Sequence, residues 1–149
     1  MAEEIFYRFI RLELAQFATF DADCVDDGTP IELSSSFRFS YSFDDDLVCC
    51  ATSVVIAKGT IPVLKAELNS YFKIQSESVE LMTEDDCVVL PTGLMAQFAS
   101  LGYGSMRGVI YAKTMGTPMD KIVLPPNDVR NIFTAPVRIP RMSVPGDRR

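Results

Sequence analysis

Apolar and polar residues alternate along the first half of this chain with a period of two. Between Ile31 and Phe43 the odd positions are apolar except for Ser35, and the even positions are Glu, Ser or Arg. A strand with one buried and one exposed face has this period. Asp44-Asp45-Asp46 supplies turn residues, and the more continuously apolar stretch from Leu47 to Ala57 follows. The pattern predicts a β-hairpin.

Two further strand-like segments lie on either side of this hairpin in the sequence. After residue 60 the even positions Leu64, Ala66, Leu68, Phe72 and Ile74 are apolar, and the odd positions Lys65, Glu67, Asn69, Lys73 and Gln75 are polar. The segment from Ile5 to Phe17 is rich in β-branched and aromatic residues but is apolar at both parities, as Phe6 and Tyr7 illustrate. We therefore expect one sheet of four strands, with both faces of its first strand in contact with protein.

A long helix is predicted after Pro91, because proline suits the first turn and Leu94, Phe98 and Leu101 recur at helical spacing. A short second helix is predicted from Val129 to Phe133, where Asn127-Asp128 offers a cap. The sequence thus predicts an α+β fold, in which a four-stranded antiparallel sheet is covered on one face by a long helix and a short C-terminal helix.

Three glycines interrupt the long helix, at Gly102, Gly104 and Gly108. Each costs about 1 kcal/mol relative to alanine in a helix interior. Two interpretations are open. Another backbone approaches closely, as in a helix contact between subunits, or the helix is weak or bent at these positions.

Length and composition predict one globular domain. The 149 residues are 48% hydrophobic, enough for a single core without a metal or disulfides. We expect the domain to cover residues 1–133. Residues 134–149 contain three prolines and have a basic balance, which predicts an extended or flexible tail.

The charge of the chain limits its partners and location. A net charge of −6 argues against nucleic acid, which requires a concentrated Lys/Arg surface. The sequence has no apolar run near the ~20 residues that span a bilayer, so membrane insertion is not expected. The start, Met1-Ala2-Glu3-Glu4, is acidic where a secretory signal is basic. A cytoplasmic location follows as an expectation.

The four cysteines predict reduced, structural thiols rather than a metal site. They form no CxxC pattern, and the chain has no histidine to complete a zinc site. Cys49 and Cys50 are adjacent in a predicted strand, so their side chains point to opposite faces. Cys24 and Cys87 stand alone.

Catalysis is not expected, because the absence of histidine removes the usual general base, although a carboxylate mechanism stays formally open. Asp44-Asp45-Asp46 lacks the spacing of a calcium loop and fits a solvated turn, and Asp85-Asp86 fits loop polarity. Gly102-Tyr103-Gly104 lies inside the predicted helix and is a weak phosphate motif. We expect no enzyme activity, cofactor or metal.

The second half of the chain resembles one family, the SecB-like export chaperones. Its members have an approach segment ending in Leu-Pro or Phe-Pro, a long helix ending near Arg-Gly, a glycine-containing turn, and Leu-x-Pro-x-Asn before a short segment that ends in Phe. The matching residues here are Leu90-Pro91, Arg107-Gly108, Gly116, Leu124-Pro125-Pro126-Asn127 and Ile132-Phe133.

The resemblance implies a SecB-like fold and an ATP-independent holdase that binds unfolded or partly folded polypeptide. It also implies a homotetramer built as a dimer of dimers. The family places its client groove between the sheet edge, the crossover region and the second helix. The positions of this chain that match that description are Phe17, Phe20, Leu90, Leu94, Ile132 and Phe133. From the sequence each of them is either groove or core.

The chain departs from the family at its basic, proline-rich end, which replaces the acidic tail that serves the translocation motor. This argues against delivery to that motor. Two chaperone roles stay open, a role in protein transport and the binding of one dedicated client, as in toxin–antitoxin-linked relatives. Two alternatives stay open: a small apolar-ligand binding protein with a helix-grip-like pocket, and a structural oligomerisation protein that uses its sheet edges. The ligand-binding alternative predicts a monomer and the chaperone an oligomer.

Overall fold

The structure, a computed structural model, describes residues 4–20 and 30–141. Cys24 and residues 142–149 of the expected tail lie outside the described residues. The elements in chain order are β1 (Tyr7–Thr19), β2 (Ile31–Ser42), β3 (Leu47–Lys58), β4 (Ile61–Ile74), α1 (Ser76–Met82), β5 (Thr83–Glu84), β6 (Cys87–Leu90), α2 (Thr92–Thr114), a 3-10 helix (Pro118–Lys121) and β7 (Val137–Pro140).

The main sheet contains the four predicted strands in the order β1-β4-β3-β2, all antiparallel. The even residues of β4, such as Leu64, Leu68 and Phe72, are buried beneath α2, as their alternation predicts. The β2–β3 pairing runs without interruption from Ile31 opposite Lys58 to Ser42 opposite Leu47. The α+β class and the four-stranded antiparallel sheet are confirmed.

Two irregularities in β1 explain why its sequence is apolar at both parities. The pairing with β4 shifts by one residue between Phe9 and Arg11, and again between Leu14 and Gln16. Each extra residue shifts the alternation by one position, so the side chains after it point to the face opposite to the one that uninterrupted alternation would give. The residues opposite the buried positions of β4 are therefore Tyr7, Phe9, Leu12, Leu14, Phe17 and Thr19.

The opposite face of β1 is polar, which corrects the expectation that both faces of this strand contact protein. Arg11 stacks on the ring of Tyr71 at 4.2 Å, and the Tyr71 hydroxyl donates to Glu13 Oε1 at 2.9 Å. Asn69 Nδ2 donates to the same carboxylate at 3.3 Å. The bulges collect the apolar side chains of β1 on the side of the sheet that carries α2.

Helix α2 begins directly after Pro91, as predicted, and lies over β3 and β4. The ring of Phe98 stacks on Phe72 with 4.0 Å between centroids. At Gly102 the helix approaches the sheet so closely that an added Cβ would lie 2.5 Å from Thr52 Oγ1. The close approach expected at this glycine is therefore to the sheet of the same chain. An added Cβ at Gly104 or Gly108 would meet no atom within 4 Å.

A smaller sheet, β5-β6-β7, lies beside the main one. Asp85 and Asp86 form the two-residue turn between β5 and β6, both with positive φ (49° and 62°), as a tight hairpin requires. β7 pairs with β6. It lies within residues 134–149, which the composition predicted to be an extended or flexible tail. Val137 and Ile139 are half-buried and pack against the core, so the folded part extends to Pro140.

The short C-terminal helix predicted at residues 129–133 is wrong. Residues 130–132 form a turn, and the second α-helix of the structure is α1, before β5. Asp128 Oδ1 accepts from the backbone N–H of Arg130 at 3.1 Å, which offers the backbone a local turn instead of a helical bond. Five residues after a proline pair are also too few to offset helix nucleation. Neither α-helix combines the length and hydropathy needed to cross a membrane.

Alanine substitutions at the helix glycines test the close approach. Gly102→Ala should destabilise the protein by about 1–3 kcal/mol, because the methyl group overlaps Thr52 in a packed core. Gly104→Ala is the matched control at an open position, where the higher helix propensity of alanine should stabilise by up to about 1 kcal/mol. Urea unfolding measures both. Equal effects of the two substitutions would contradict the packing described for Gly102.

Candidate functional site

The six residues expected to bind a client lie in three separate places. Leu90 and Leu94 are core residues, 0% and 6% exposed, in the cluster that includes Phe72 and Phe98. Their side chains fill the space between β6, the start of α2 and the sheet. They are not accessible to a client in this structure, so the groove expected at the helix entry is not present there.

Phe17 and Phe20 lie at the end of β1. Phe17 is half-buried against the core, and Lys113 Nζ lies 6.0 Å from its ring centroid. Phe20 is exposed, although its backbone N–H donates to the Val63 carbonyl at 2.9 Å. These two rings mark the margin between core and surface at this end of the sheet.

Ile132 and Phe133 lie in the segment that connects α2 to β7, residues 115–136, here called the crossover. Phe133 is half-buried between Phe37 and Phe39, at centroid distances of 6.1 and 5.5 Å with edge-to-face geometry. Ile132 is exposed. Phe133 therefore covers the residues of β2 that face the helix side of the sheet, whereas Ile132 faces solvent.

The crossover and the second half of α2 enclose an apolar cleft of about 250 Å³. We call it the α2–crossover cleft, and its lining residues are Arg107, Gly108, Ile110, Tyr111, Ile122, Val123 and Leu124. Tyr111 and Val123 are 60% and 68% exposed at its rim. Its dimensions suit one or two apolar side chains.

Buried anchors hold the crossover beside the helix. Met119 and Leu124 are buried in the main core, and the Thr117 side chain caps the 3-10 helix by accepting from Met119 N–H at 3.1 Å. Arg107 Nε donates to the Leu124 carbonyl at 3.0 Å, and the Tyr103 hydroxyl donates to the Pro125 carbonyl at 2.8 Å. These bonds satisfy polar groups next to the cleft, so its lining offers mainly apolar contact.

A second apolar surface lies on β1. Phe9, Leu12 and Leu14 face the helix side of the sheet, and all three are exposed, Leu12 to 46%. β1 is an edge strand, and no backbone hydrogen bond from another described residue reaches its outer edge. We call these three side chains and the free edge the β1 surface. An uncovered apolar strand edge is a template for association.

The outward side of α2 is almost without charge. Away from the α2–crossover cleft its exposed residues include Gln97, Ser100, Leu101 and Gly104. A helix side that faces only water normally carries charged residues. Small and apolar residues on this side instead permit close contact with another surface.

No three Cys, Asp or Glu side chains among residues 4–20 and 30–141 are placed to hold a metal ion. Burial raises the pKa of the Cys50 thiol to about 12 and also raises the pKa of Cys49, on the other face of β3. Hydrogen bonds from Arg130 lower the pKa of the exposed Asp128 carboxyl to about 2. Asp44–Asp46 form the β2–β3 turn.

Several surface residues were missed by the sequence analysis: Phe9, Leu12, Leu14, Tyr111, Ile122 and Val123. The one signal available was the scarcity of charge in α2, where Arg107 and Lys113 are the only charged residues. The exposure of β1 depends on which strands α2 covers, and periodicity does not report that.

Comparisons with known proteins bear on the fold. The chain is similar to a solved structure of a SecB-like chaperone of Mycobacterium tuberculosis, in complex with a ChAD peptide from an antitoxin. The TM-score is 0.50 at 12% sequence identity, over 80% of this chain and 89% of that chain. The fold is SecB-like. No protein-family model and no curated protein matches the sequence.

In this SecB-like fold the space between sheet and helix is filled by side chains where α2 crosses β3 and β4. The Phe72–Phe98 stack and the contact of Gly102 with Thr52 leave no room there for a ligand. This packing argues against the helix-grip alternative, which requires a cavity at that position. Among the described residues, the α2–crossover cleft and the β1 surface are two apolar sites that stay accessible.

Phe133→Ala tests whether this ring is core or surface. Its contacts with two β2 rings predict a loss of about 2 kcal/mol in unfolding free energy, below the ~3–5 kcal/mol of a fully buried phenylalanine. Ile132→Ala is the control next to it, with a change within about 0.5 kcal/mol because the side chain is exposed. Denaturant unfolding measures both. An unchanged stability of Phe133→Ala would mean that the ring does not hold the crossover on β2.

Proposed function

We propose that the protein is an ATP-independent holdase chaperone that binds unfolded or partly folded polypeptide through the α2–crossover cleft. The observation that carries the proposal is that a well-packed SecB-like domain leaves accessible apolar sites outside its core. In a monomeric enzyme or carrier, exposed apolar side chains at these sites would contact only water and would serve no binding function. A chaperone requires them.

The cleft has the properties that a sequence-tolerant binder needs. Its rim residues, Tyr111 and Val123, give flat and branched apolar contact, and Arg107 is the one charged side chain of the lining. Ile132 and Phe20 add exposed apolar area at other sites of the same domain, and Phe17 and Phe133 lie half-buried beside them. Weak contacts at several separate sites hold an extended chain more tightly than any one of them alone.

The kind of client is the second part of the proposal. The similar chaperone was solved with a peptide from an antitoxin, and by analogy we propose a polypeptide client for this chain. A dedicated partner and a set of export clients are both compatible with the cleft. We also propose that the protein acts in the cytoplasm and that no nucleotide takes part. In support, Gly102-Tyr103-Gly104 lies within α2, with Gly102 packed on the sheet, rather than in a loop between a strand and a helix.

Assembly is the third part. The β1 surface and the uncharged outward side of α2 are two distinct faces, and we propose that they form the two interfaces of a dimer of dimers. The β1 edge offers unpaired backbone groups and apolar side chains together, as strand pairing between two subunits requires.

The solution mass tests this assembly. Light scattering at about micromolar concentration should give four times the chain mass of 16.6 kDa. Leu12→Glu, which places a charge in the centre of the β1 surface, should reduce that mass while the folded domain persists. A monomeric wild type would remove the assembly from the proposal and leave the client-binding part to be judged by itself.

Client binding is tested by the aggregation of a denatured protein without nucleotide. The wild type should suppress aggregation, and Val123→Ser combined with Tyr111→Ser should weaken client binding by about tenfold or more, since each apolar side chain contributes about 1.5–3 kcal/mol when buried. The melting temperature should stay unchanged because both residues are exposed.

Leu81→Ser is the matched control for that experiment, since Leu81 is an exposed apolar residue on α1, away from the cleft. It should leave suppression intact. Two results would refute the proposal. In the first, a molar excess of wild type slows the aggregation neither of general denatured proteins nor of any candidate dedicated client. In the second, the Leu81 control and the cleft variant lose the same amount of aggregation suppression.

A further inference from the structure

The α2–crossover cleft has one charged side chain in its lining, that of Arg107. The other lining residues are apolar or glycine, apart from the hydroxyl group of Tyr111, and no carboxylate is among them. Arg107 is half-buried, and its side chain reaches from α2 to the crossover. A guanidinium in apolar surroundings is costly unless its donors are occupied. The partners of those donors therefore bear on what the cleft binds.

The fold uses only one edge of this guanidinium. Arg107 Nε donates to the Leu124 carbonyl at 3.0 Å, which holds the crossover beside α2. The two terminal nitrogens carry the other four of the five N–H donors. They form no hydrogen bond or ion pair with any of residues 4–20 and 30–141, and they are not buried. The terminal pair of nitrogens is thus open to a ligand, while the Nε bond fixes the plane of the group.

The acidic residues of the crossover do not neutralise this charge. Asp128 is held by Arg130, whose Nε and Nη2 donate to its two carboxylate oxygens at 2.9 and 2.8 Å. Asp120 lies in the 3-10 helix, outside the lining of the cleft, and forms no ion pair with Arg107. The other charged residue of α2 is Lys113, which is also cationic. In the described part of the chain the positive charge at the cleft has no counter-ion.

The free edge of Arg107 and the apolar rim are spaced to contact one short segment of polypeptide. The paired terminal nitrogens of a guanidinium match the two oxygens of a carboxylate. Arg107 and Tyr111 are four residues apart on α2, so their Cβ atoms lie about 6 Å apart on one face of the helix. Side chains two residues apart in an extended peptide also share a face, at about 6.6 Å. A carboxylate on Arg107 and an apolar side chain at the rim therefore fit the same segment.

The net charge of the chain limits how acidic such a segment can be. At −6 it repels a run of carboxylates at long range. A single carboxylate beside an apolar residue is repelled less and gains a charge-assisted contact at close range. The combination favours one carboxylate next to an apolar side chain over acidic segments in general.

We propose that the α2–crossover cleft binds client segments in which a carboxylate lies within two residues of an apolar side chain, and that Arg107 recognises the carboxylate. An Asp or Glu side chain and a free C-terminus present the same two oxygens. The inference rests on the client binding in the proposed function and adds a chemical preference to it. The apolar side chain supplies most of the affinity, and the ion pair decides which apolar segments bind best.

Peptide binding to the full-length protein tests this preference, with fluorescence anisotropy of short dye-labelled peptides as the measurement. The first pair contains Leu-Ser-Glu or Leu-Ser-Gln in an otherwise identical, uncharged sequence with an amidated C-terminus. Wild type should bind the glutamate peptide about three- to tenfold more tightly, as a partly exposed, charge-assisted contact predicts. In Arg107→Gln the two peptides should bind equally, because the preference comes from the guanidinium.

A second pair of peptides separates the two sources of the carboxylate. Both end in leucine and contain no Asp or Glu, one with a free C-terminus and the other amidated. A preference within the first pair alone assigns the site to side-chain carboxylates, and a preference within the second pair alone assigns it to C-termini. Either result supports the proposal provided that Arg107→Gln removes it. A further peptide, with its glutamate far from the leucine, should bind like the Leu-Ser-Gln peptide.

Lys113→Gln is the matched control, since it removes the other positive charge of α2, outside the lining of the cleft. It should leave the preference unchanged. Arg107→Gln also removes the bond to Leu124, and a loosened crossover would weaken both peptides alike, so the ratio of their dissociation constants is compared. Arg107→Lys keeps the charge without the paired nitrogens and should retain a preference of about twofold. It replaces Arg107→Gln if that variant binds neither peptide.

Equal binding of the paired peptides by wild type would overturn the inference. A preference that survives in Arg107→Gln, that is undiminished in Arg107→Lys, or that Lys113→Gln loses to the same extent would do the same, and would leave Arg107 only as an anchor of the crossover. Aggregation suppression by the same proteins separates this inference from the proposed function. Suppression by wild type without a preference between the paired peptides would overturn the inference alone. Absence of both suppression and peptide binding would refute client binding and this inference together.

Discussion

The contact of Gly102 with Thr52 fixes where α2 lies, and the distribution of covered and uncovered surface follows from that placement. A helix with its side chains is about 10 Å wide, which matches two strands at ~4.8 Å spacing. Seated over β3 and β4, α2 leaves much of both edge strands uncovered. The crossover then covers β2 through Phe133, whereas Phe9, Leu12 and Leu14 in the middle of β1 stay exposed on the helix side.

Much of the sheet could be predicted from the sequence because its strands are buried on one face only. The alternation in β2 and β4 reports that burial directly, and the aspartates after Phe43 terminate β2 where the structure has a turn. β1 could not be interpreted in the same way. Its two extra residues change the parity of Leu12 and Leu14, and a bulge has no composition of its own from which to be recognised.

The candidate site was less predictable, because a side chain of one type serves as core or surface according to what covers it. Leu90 and Leu94 are buried, while Tyr111 and Val123, at positions that carry no distinctive pattern, are the accessible residues. The predicted helix at residues 129–133 failed for a local reason, since the Asp128 side chain competes for the backbone donors that a helix would use. Strand β7 was missed because four residues give too short a pattern for periodicity.

The paired bulges of β1 also determine which genetic changes this strand tolerates. Removal of the codon for Ile10 would turn the first bulge into a regular ladder, with Phe9 still opposite Phe72 and Arg11 still opposite Tyr71, so every paired side chain would keep its face. Removal of Ala15 would do the same at the second bulge. Among homologous sequences, single-residue gaps should therefore be tolerated at these two positions, whereas a gap at a paired position such as Leu12 would move the side chains on one side of it to the wrong face.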